Sequence, residues 1–141
     1  MPVYTNKVIW KREHLGYTQC GNGAEMNFSA PPALYGHPKM MTPEDAYLMA
    51  LNTCIHMMVL WAMKRFKLDL VSFECTAEGE VEEYIDKTSW FKKVILKPRI
   101  AVRGGSESAV KRALQMARKY STIAESVKSE IIIDPKIEII Q

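Results

Sequence analysis

The 141-residue chain is 48% hydrophobic and 25% charged, with a formal net charge of +3. These proportions predict one folded domain, residues 1–141, and the small positive surplus argues against a nucleic-acid-binding face, which needs clustered cations. The three cysteines form no CxxC pair, and their odd number argues against a secreted disulfide framework. The N-terminal segment lacks the apolar core of a signal peptide. We therefore expect a cytoplasmic protein without a metal site or cofactor.

Residues 1–30 predict three short strands, at residues 3–10, 17–20 and 24–28. Asn22 and Gly23 lie between the second strand and the third, and this dipeptide is a strong signal for a tight hairpin turn. A connection that contains several prolines and a glycine follows at residues 31–41. We expect this loop to lie over other parts of the protein.

Residues 46–63 predict a helix that is apolar on nearly every face. Its plainly polar members are Asn52, Thr53 and His56. Thr42 suits the N-cap, Pro43 suits the first helical position, and Asp45 is placed to complete a short capping box. The helix ends with cations against the negative end of its dipole, namely Lys64, Arg65 and Lys67.

A helix with no polar face requires cover on several sides, from protein or from lipid. As a membrane span this run would be only about 27 Å long, the lower limit for a bilayer, with Asn52 and His56 near the midplane. We favour a core helix because the flanking segments pattern as amphipathic strands and helices that need a shared core. One small sheet cannot enclose such a helix. We therefore predict an intimate homodimer, with no membrane contact, in which two chains share their central helices.

Two strands are predicted after this helix. Apolar and polar residues alternate along residues 71–77, which indicates a half-buried strand, and the acidic stretch 78–86 is interpreted as a hairpin loop. The second strand has an apolar side formed by Val94, Leu96, Ile100 and Val102. Its other side carries Lys93, Lys97, Arg99 and Arg103. We interpret this basic side as a solvated face or, alternatively, as an anion site.

Gly104 and Gly105 end the second strand, and Ser106 suits the N-cap of a second helix. The apolar stripe of that helix consists of Val110, Ala113, Leu114, Ala117 and Tyr120. A short helix at residues 122–127 and a last strand at residues 130–140 complete the chain. This order of strands and helices indicates an α+β fold.

Two stretches together resemble the OsmC/Ohr family of osmotically inducible and organic hydroperoxide resistance proteins. A proline-containing loop precedes a Thr-Pro-Glu helix start and a cysteine inside an apolar helix in residues 31–54, PPALYGHPKMMTPEDAYLMALNTC. The family's second helix is similar to residues 103–127, RGGSESAVKRALQMARKYSTIAESV. The resemblance implies an OsmC-like α+β fold, an intertwined homodimer whose central buried helices are wrapped by antiparallel-rich β-sheets.

The resemblance also implies peroxide chemistry at Cys54, which matches the family's peroxide-attacking cysteine, since a thiolate is nucleophilic enough to open an O–O bond. The family's resolving cysteine falls at Ser121, which cannot form a disulfide, and its activating carboxylate falls at Ala33. Arg12 is a candidate for the activating arginine, and Lys11 and Arg99 are further candidate cations. The implied ligand pocket at the dimer interface contains Leu34, Met57, Met58, Arg99, Tyr120 and Ser121.

The sequence is compatible with three functions. The first is a stress or redox role as a Cys54-dependent organic hydroperoxide peroxidase, in which Ser121 replaces the resolving cysteine and an external thiol reduces the oxidised Cys54. The alternative is a non-catalytic binding protein for an apolar, acyl or thiol-bearing small ligand, such as a coenzyme A derivative or glutathione. Nucleic-acid binding through the basic strand face ranks last. Without the resemblance, Cys54 is more simply explained as a small buried hydrophobe.

Overall fold

A computed structural model gives the structure of residues Met1–Gln141, in two compact units, Met1–Tyr47 and Leu48–Gln141. The elements in chain order are β1 Asn6–Arg12, β2 Leu15–Cys20, β3 Glu25–Ser29, α1 Pro43–Arg65, β4 Asp69–Glu83, β5 Ser89–Arg103, α2 Glu107–Tyr120, α3 Thr122–Ser126, β6 Glu130–Ile133 and β7 Lys136–Ile140. A short 3-10 helix, Pro32–Leu34, lies between β3 and α1. The single domain expected from the composition stays a prediction.

The first unit is built on a three-stranded antiparallel sheet in the order β1-β2-β3. The predicted hairpin between β2 and β3 is confirmed: Gly23 adopts a positive φ, and its amide donates to the Cys20 carbonyl at 2.9 Å. All of β1 is exposed in the single chain, including the large apolar side chains of Val8 and Trp10. This sheet therefore has apolar surface that its own unit leaves uncovered.

The predicted capping box of α1 is present. The Thr42 hydroxyl accepts from the Asp45 amide at 3.1 Å, and the Asp45 carboxylate accepts from the Thr42 amide at 3.0 Å and from its hydroxyl at 2.9 Å. These bonds satisfy groups that the first helical turn leaves without partners, so this end of α1 is determined locally. The helix then runs from Pro43 to Arg65, close to the predicted bounds.

The second unit contains a sheet in which β5 is the central strand. β4 pairs with β5 in antiparallel orientation, whereas β6 and β7 both pair with β5 in parallel, one after the other. The single last strand predicted for residues 130–140 is therefore divided. Pro135 has no amide for the ladder, and the preceding Asp134 amide donates to the Leu96 carbonyl at 2.8 Å.

The hairpin loop expected at residues 78–86 was predicted too long. β4 continues to Glu83, so the turn before β5 is short. Basic residues of β5 lie beside this acidic stretch: Glu80 faces Lys93 in register, and Glu78 and Glu82 form ion pairs with Lys97 at 3.0 Å and Lys92 at 3.9 Å. The prediction was wrong because the repulsion within a run of like charges is relieved once a partner strand supplies the opposite charge.

The core of the second unit is formed by α1, α2 and one face of the sheet. Its buried members include Leu51, Ile55 and Val59 from α1, Val94, Leu96, Ile100 and Val102 from β5, and Val110, Ala113, Leu114 and Ala117 from α2. These residues confirm the predicted alternation on β5 and the predicted stripe on α2, except that Tyr120 is 52% exposed. Gly104 and Gly105 adopt φ angles of 70° and 76° and turn the chain towards α2. Ser106 caps α2 as predicted.

Only one side of α1 is buried within its own chain. On that side, the Asn52 amide donates to the Cys75 carbonyl of β4 at 3.0 Å. The His56 ring also packs against Phe73, with 4.6 Å between ring centroids. The opposite side is exposed and apolar, with Met49, Met57, Leu60 and Trp61. A helix buried on all sides, as expected from the sequence, therefore requires cover that the single chain does not supply.

The length and hydropathy of α1 also meet the criteria for a membrane span, by composition alone. Core helices of folded proteins meet the same criteria. Within the second unit, α1 contributes its buried face to the core and bonds to β4 through Asn52. These contacts are typical of a core helix.

Candidate functional site

Cys54 lies against Ser121, the residue that follows α2. The Ser121 hydroxyl donates to the Cys54 sulfur, with 3.0 Å between Oγ and Sγ. Ser121 is fully buried, whereas Cys54 keeps partial access to solvent. A hydrogen bond donated to sulfur favours a sulfur that carries negative charge, so this arrangement suits a nucleophilic thiol.

Ser121 is held in place by the two helices that it joins. It follows α2 in an extended conformation, and its hydroxyl caps α3 by accepting from the Ala124 amide at 3.1 Å. A hydroxyl has one proton and two lone pairs. Because the amide occupies a lone pair, the proton remains available for the Cys54 sulfur, and the helix cap orients the donor.

An open groove of about 340 Å³ lies between α1 and α2. Its lining consists of Met58, Trp61, Arg65, Met116 and Tyr120. Met58 follows Cys54 by one helical turn on the same face of α1, and Tyr120 directly precedes Ser121. The Trp61 and Tyr120 rings meet edge to face, with 5.5 Å between centroids. The lining of the groove thus begins one helical turn from Cys54, which is not itself a lining residue.

The structure brings some of the predicted ligand residues together and not others. Met58 and Tyr120 line the groove, and Ser121 adjoins it. Met57 is exposed on the apolar side of α1 and does not line the groove.

Sequence reasoning did not identify Trp61, Arg65 or Met116 as groove residues. Trp61 and Arg65 share a face of α1 with Cys54, so the helical period counted from Cys54 would have found them. Met116 has no such signal, because its place in the groove depends on how α2 packs beside α1. The sequence alone therefore predicts only part of the groove lining.

Comparison with known proteins identifies the family. The family described as OsmC-like protein matches residues 36–136. The chain belongs to the OsmC-like family. The resemblance stated from the sequence is thereby confirmed. The search among curated proteins found no match.

Solved structures share the OsmC-like fold over nearly the whole chain. An OsmC-like protein of unknown function from Vibrio cholerae has a TM-score of 0.87 at 20% identity, and the match covers 96% of this chain and 100% of that one. An organic hydroperoxide resistance protein from Elizabethkingia anophelis, with thiocyanate bound, has a TM-score of 0.77 at 14% identity, with coverages of 99% and 97%. The organic hydroperoxide resistance protein OhrB of Bacillus subtilis has a TM-score of 0.64 at 10% identity, with 97% of each chain covered. These similarities confirm the predicted α+β fold.

Two predicted site residues of this OsmC-like chain lie in the first unit. Arg12 ends β1 at an irregularity in the pairing, opposite Leu15. Leu34 ends the 3-10 helix, and its side chain is exposed. Arg12 takes part in none of the ion pairs of the chain. The approach of either residue to Cys54 stays a prediction.

Arg99 lies on the sheet face that points away from α1. Its neighbour Ile100 is buried and pairs in register with Phe73, which the His56 ring of α1 contacts. Since successive side chains of a strand point to opposite faces, Arg99 projects to the other side. Within one chain, Arg99 is therefore not placed to act as the cation for Cys54.

The basic face of β5 is balanced by the acidic residues of β4. Lys97 pairs with Glu78 at 3.0 Å, and Arg103 pairs with Asp69 at 3.8 Å. Both pairs are exposed, so they contribute little to stability, but they remove the clustered positive charge that nucleic-acid binding requires. The face is better described as a solvated face of mixed charge.

The other two cysteines of the OsmC-like chain have different surroundings, and all three are free thiols. Burial raises the pKa of Cys75 to about 11, although a hydrogen bond from the Lys97 backbone acts in the opposite direction. Cys20 is exposed at the end of β2. A thiol that stays protonated at neutral pH is a poor nucleophile, so Cys75 is suited to packing.

Proposed function

We propose that this OsmC-like protein is a thiol peroxidase that acts through Cys54 alone. The Cys54 thiolate attacks one oxygen of an organic hydroperoxide, the O–O bond breaks, and the departing alkoxide takes a proton to become the alcohol. Cys54 is left as a sulfenic acid. An external thiol then condenses with it, releasing water and forming a mixed disulfide, and a second external thiol displaces Cys54 in its reduced form.

The single observation that supports this proposal most strongly is the 3.0 Å contact between Ser121 Oγ and Cys54 Sγ. The family resemblance assigns the resolving cysteine to this position, and the serine here occupies it within bonding reach of the sulfur. Ser121 cannot form a disulfide, but it donates a hydrogen bond that stabilises charge on sulfur or on the sulfenate oxygen. The proposal therefore makes Ser121 a positioning residue.

The proposed active form is a homodimer. The exposed apolar side of α1, with Met49, Met57, Leu60 and Trp61, has the surface expected of a subunit interface. A second copy of the chain would cover this side and enclose Cys54. Sedimentation should give a dimer that Leu60→Glu dissociates, whereas Ser108→Glu, exposed on α2, should leave it intact. A monomeric parent protein would contradict this part of the proposal.

The function is tested by treating the protein with one equivalent of cumene hydroperoxide and measuring its mass. We expect one added oxygen on Cys54, trapped by a sulfenic-acid reagent, and catalytic turnover once a small external thiol is supplied. Cys54→Ala should abolish both results, while the matched variant Cys75→Ala should retain them. A Cys54 that alkylates readily but never gains oxygen would contradict the peroxidase.

The binding-protein alternative is supported by the groove itself. Its lining of Met58, Trp61 and Met116 is adaptable and apolar, and Ala33 stands where the resemblance implies an activating carboxylate. An apolar, acyl or thiol-bearing ligand such as a coenzyme A derivative or glutathione would then be bound without turnover. Native mass spectrometry of the purified protein distinguishes the two functions, since this alternative predicts a retained ligand and no consumption of peroxide.

We propose that the protein is located in the cytoplasm. Its three cysteines are all unpaired, which agrees with a reducing compartment. A cytoplasmic location also provides the external thiols that the proposed reduction of Cys54 requires. Fractionation of cells that express the protein tests this location.

A further inference from the structure

The sheet face that carries Arg99, on the side away from α1, has a shallow depression of about 380 Å³. The depression crosses β4, β5 and β7. Because residues that face one another in register lie on the same side of a sheet, the side chains around the depression form two rows. One row consists of Glu74, Arg99 and Lys136, and the other consists of Ser72, Ala101 and Glu138.

Short side chains form the floor of this depression. Ala101 is only 7% exposed, although it lies on the outer face, because longer side chains surround it. Ser72 faces Ala101 in register, is exposed, and has a hydroxyl without a hydrogen-bond partner in the chain. The second row therefore has room for a ligand group above Ala101, with a free hydroxyl at one side.

The charged side chains around the depression are unpaired. None of the ion pairs of the chain includes Glu74, Arg99, Lys136 or Glu138. Arg99 and Lys136 also lie directly opposite each other in register, and like charges in such positions destabilise a sheet. An anion bound between these two cations would remove their repulsion.

The two rows differ in net charge. Two cations and one carboxylate give the first row a charge of +1, whereas Glu138 gives the second row a charge of −1. Two residues along a strand are about 6.6 Å apart, so the rows are separated by about this distance. An extended dipeptide spans about 7 Å between its ammonium and its carboxylate, so its charges match the two rows in sign and in spacing.

We propose that this depression binds a free zwitterion of about dipeptide length. The carboxylate of the ligand lies between Arg99 and Lys136. Its ammonium lies above Ala101, where the Ser72 hydroxyl and the Glu138 carboxylate accept its hydrogen bonds. The ligand is a small molecule, because the two termini of a protein do not lie one dipeptide apart on a single segment.

Amide chemical shifts of the isotope-labelled full-length protein, measured during titration at low ionic strength, test this assignment. The probes are glycylglycine, its N-acetyl derivative, which lacks the ammonium, and glycylglycinamide, which lacks the carboxylate. Glycylglycine should bind saturably with millimolar affinity and shift the amides around Ala101 on β4, β5 and β7. Each of the other two probes should bind about fivefold more weakly, the upper value for one exposed charge pair.

Variants assign the two ends of the ligand. Arg99→Gln and Lys136→Gln should each weaken glycylglycine about fivefold without weakening glycylglycinamide, which has no carboxylate. Glu138→Gln should weaken glycylglycine to a similar extent without weakening the N-acetyl derivative. Glu74→Gln should instead strengthen the binding of glycylglycine, because it removes a carboxylate that competes for Arg99. The dispersion of the amide signals establishes that each variant is folded.

Lys97→Gln is the matched control. It removes a positive charge from the same face of β5, at a residue that is already paired with Glu78 at 3.0 Å, and should leave glycylglycine binding unchanged. The assignment would be overturned by an absence of saturable shifts or by a capped probe that binds as tightly as glycylglycine. It would also be overturned by an equal loss of affinity in Lys97→Gln and Arg99→Gln, or by a loss in Glu74→Gln.

This site goes beyond the proposed peroxidase, because it lies on the sheet face opposite α1 and does not involve Cys54. Cys54→Ala, which should abolish the reaction with hydroperoxide, should bind glycylglycine as the parent protein does. Either assignment can therefore fail while the other stands.

Discussion

Cys54 and Cys75 are both half-buried thiols in the second unit, yet their surroundings differ in kind. Cys54 accepts a hydrogen bond from the Ser121 hydroxyl and lies beside an open groove. Cys75 is on the inner face of β4, where burial raises its pKa to about 11. The comparison teaches that two thiols of similar partial burial can have different surroundings: a side-chain hydroxyl contacts the Cys54 sulfur, whereas desolvation dominates at Cys75 despite a backbone donor from Lys97.

The largest effect is expected from restoring a thiol next to Cys54. Ser121→Cys should form an intramolecular disulfide with Cys54 after one equivalent of hydroperoxide, because the two side-chain atoms already lie 3.0 Å apart. Mass spectrometry of the unreduced protein measures the loss of two hydrogens. The matched control is Ser106→Cys, at the cap of α2, which should not form this bond. A free thiol in both variants would contradict the assignment of Ser121.

The rate at which Cys75 is alkylated should depend strongly on pH, over a higher pH range than for a thiol with an ordinary pKa. With a pKa of about 11, Cys75 remains protonated at neutral pH, and roughly one molecule in a thousand carries its thiolate at pH 8. Alkylation of the Cys75 peptide by iodoacetamide should therefore accelerate about tenfold per pH unit up to about pH 11. Mass spectrometry after timed labelling gives the rate, and a plateau near pH 8 or 9 would disprove the raised pKa.

The same shift predicts how stability depends on pH. In the unfolded chain Cys75 ionises near its ordinary pKa of 9.0, whereas in the folded protein it does so only at about 11. Between these values the unfolded state binds fewer protons, so the free energy of unfolding should fall as the pH rises from 9 to 11. Urea unfolding should show a smaller fall for Cys75→Ala. An identical fall in both proteins would rule out this contribution.

A moderate effect should follow from removing the donor to Cys54. Ser121→Ala deletes the hydrogen bond to sulfur, and oxidation of Cys54 by cumene hydroperoxide should slow about tenfold. The variant also loses the cap of α3, so Ser126→Ala, at the end of that helix, serves as a structural control. Ser121→Thr keeps a hydroxyl and should restore part of the rate. Unchanged oxidation in Ser121→Ala would remove Ser121 from the mechanism.

The smallest effect concerns the contact that joins the two cysteine environments. Asn52 of α1 donates to the Cys75 carbonyl at 3.0 Å, and Asn52→Ala should lower the free energy of unfolding by about 1 kcal/mol. Labelling of Cys75 should become faster while oxidation of Cys54 stays nearly constant, because Ser121 still contacts the sulfur. Urea unfolding and peptide labelling measure both. A larger change at Cys54 than at Cys75 would show that the two environments are coupled.

Predictions from the sequence succeeded where neighbours in the chain carry the information. The capping box of Thr42 and Asp45, the alternation along β5 and the turn at Asn22 and Gly23 are all present in the structure. The acidic stretch 78–86 failed as a loop because its basic partners belong to another strand. The resemblance supplied Cys54 and Ser121 as site positions, which periodicity alone would have left as packing residues.

By itself, the sequence determined the local features of this protein, because helix caps, turn residues and apolar periods act over a few residues. The tertiary structure alone decided that Ser121 donates to Cys54, 67 positions earlier in the chain. It also brought Met116 to a groove with Trp61. Such contacts depend on how α1 and α2 pack together, and side chains so far apart in sequence meet only when a common core orients both helices.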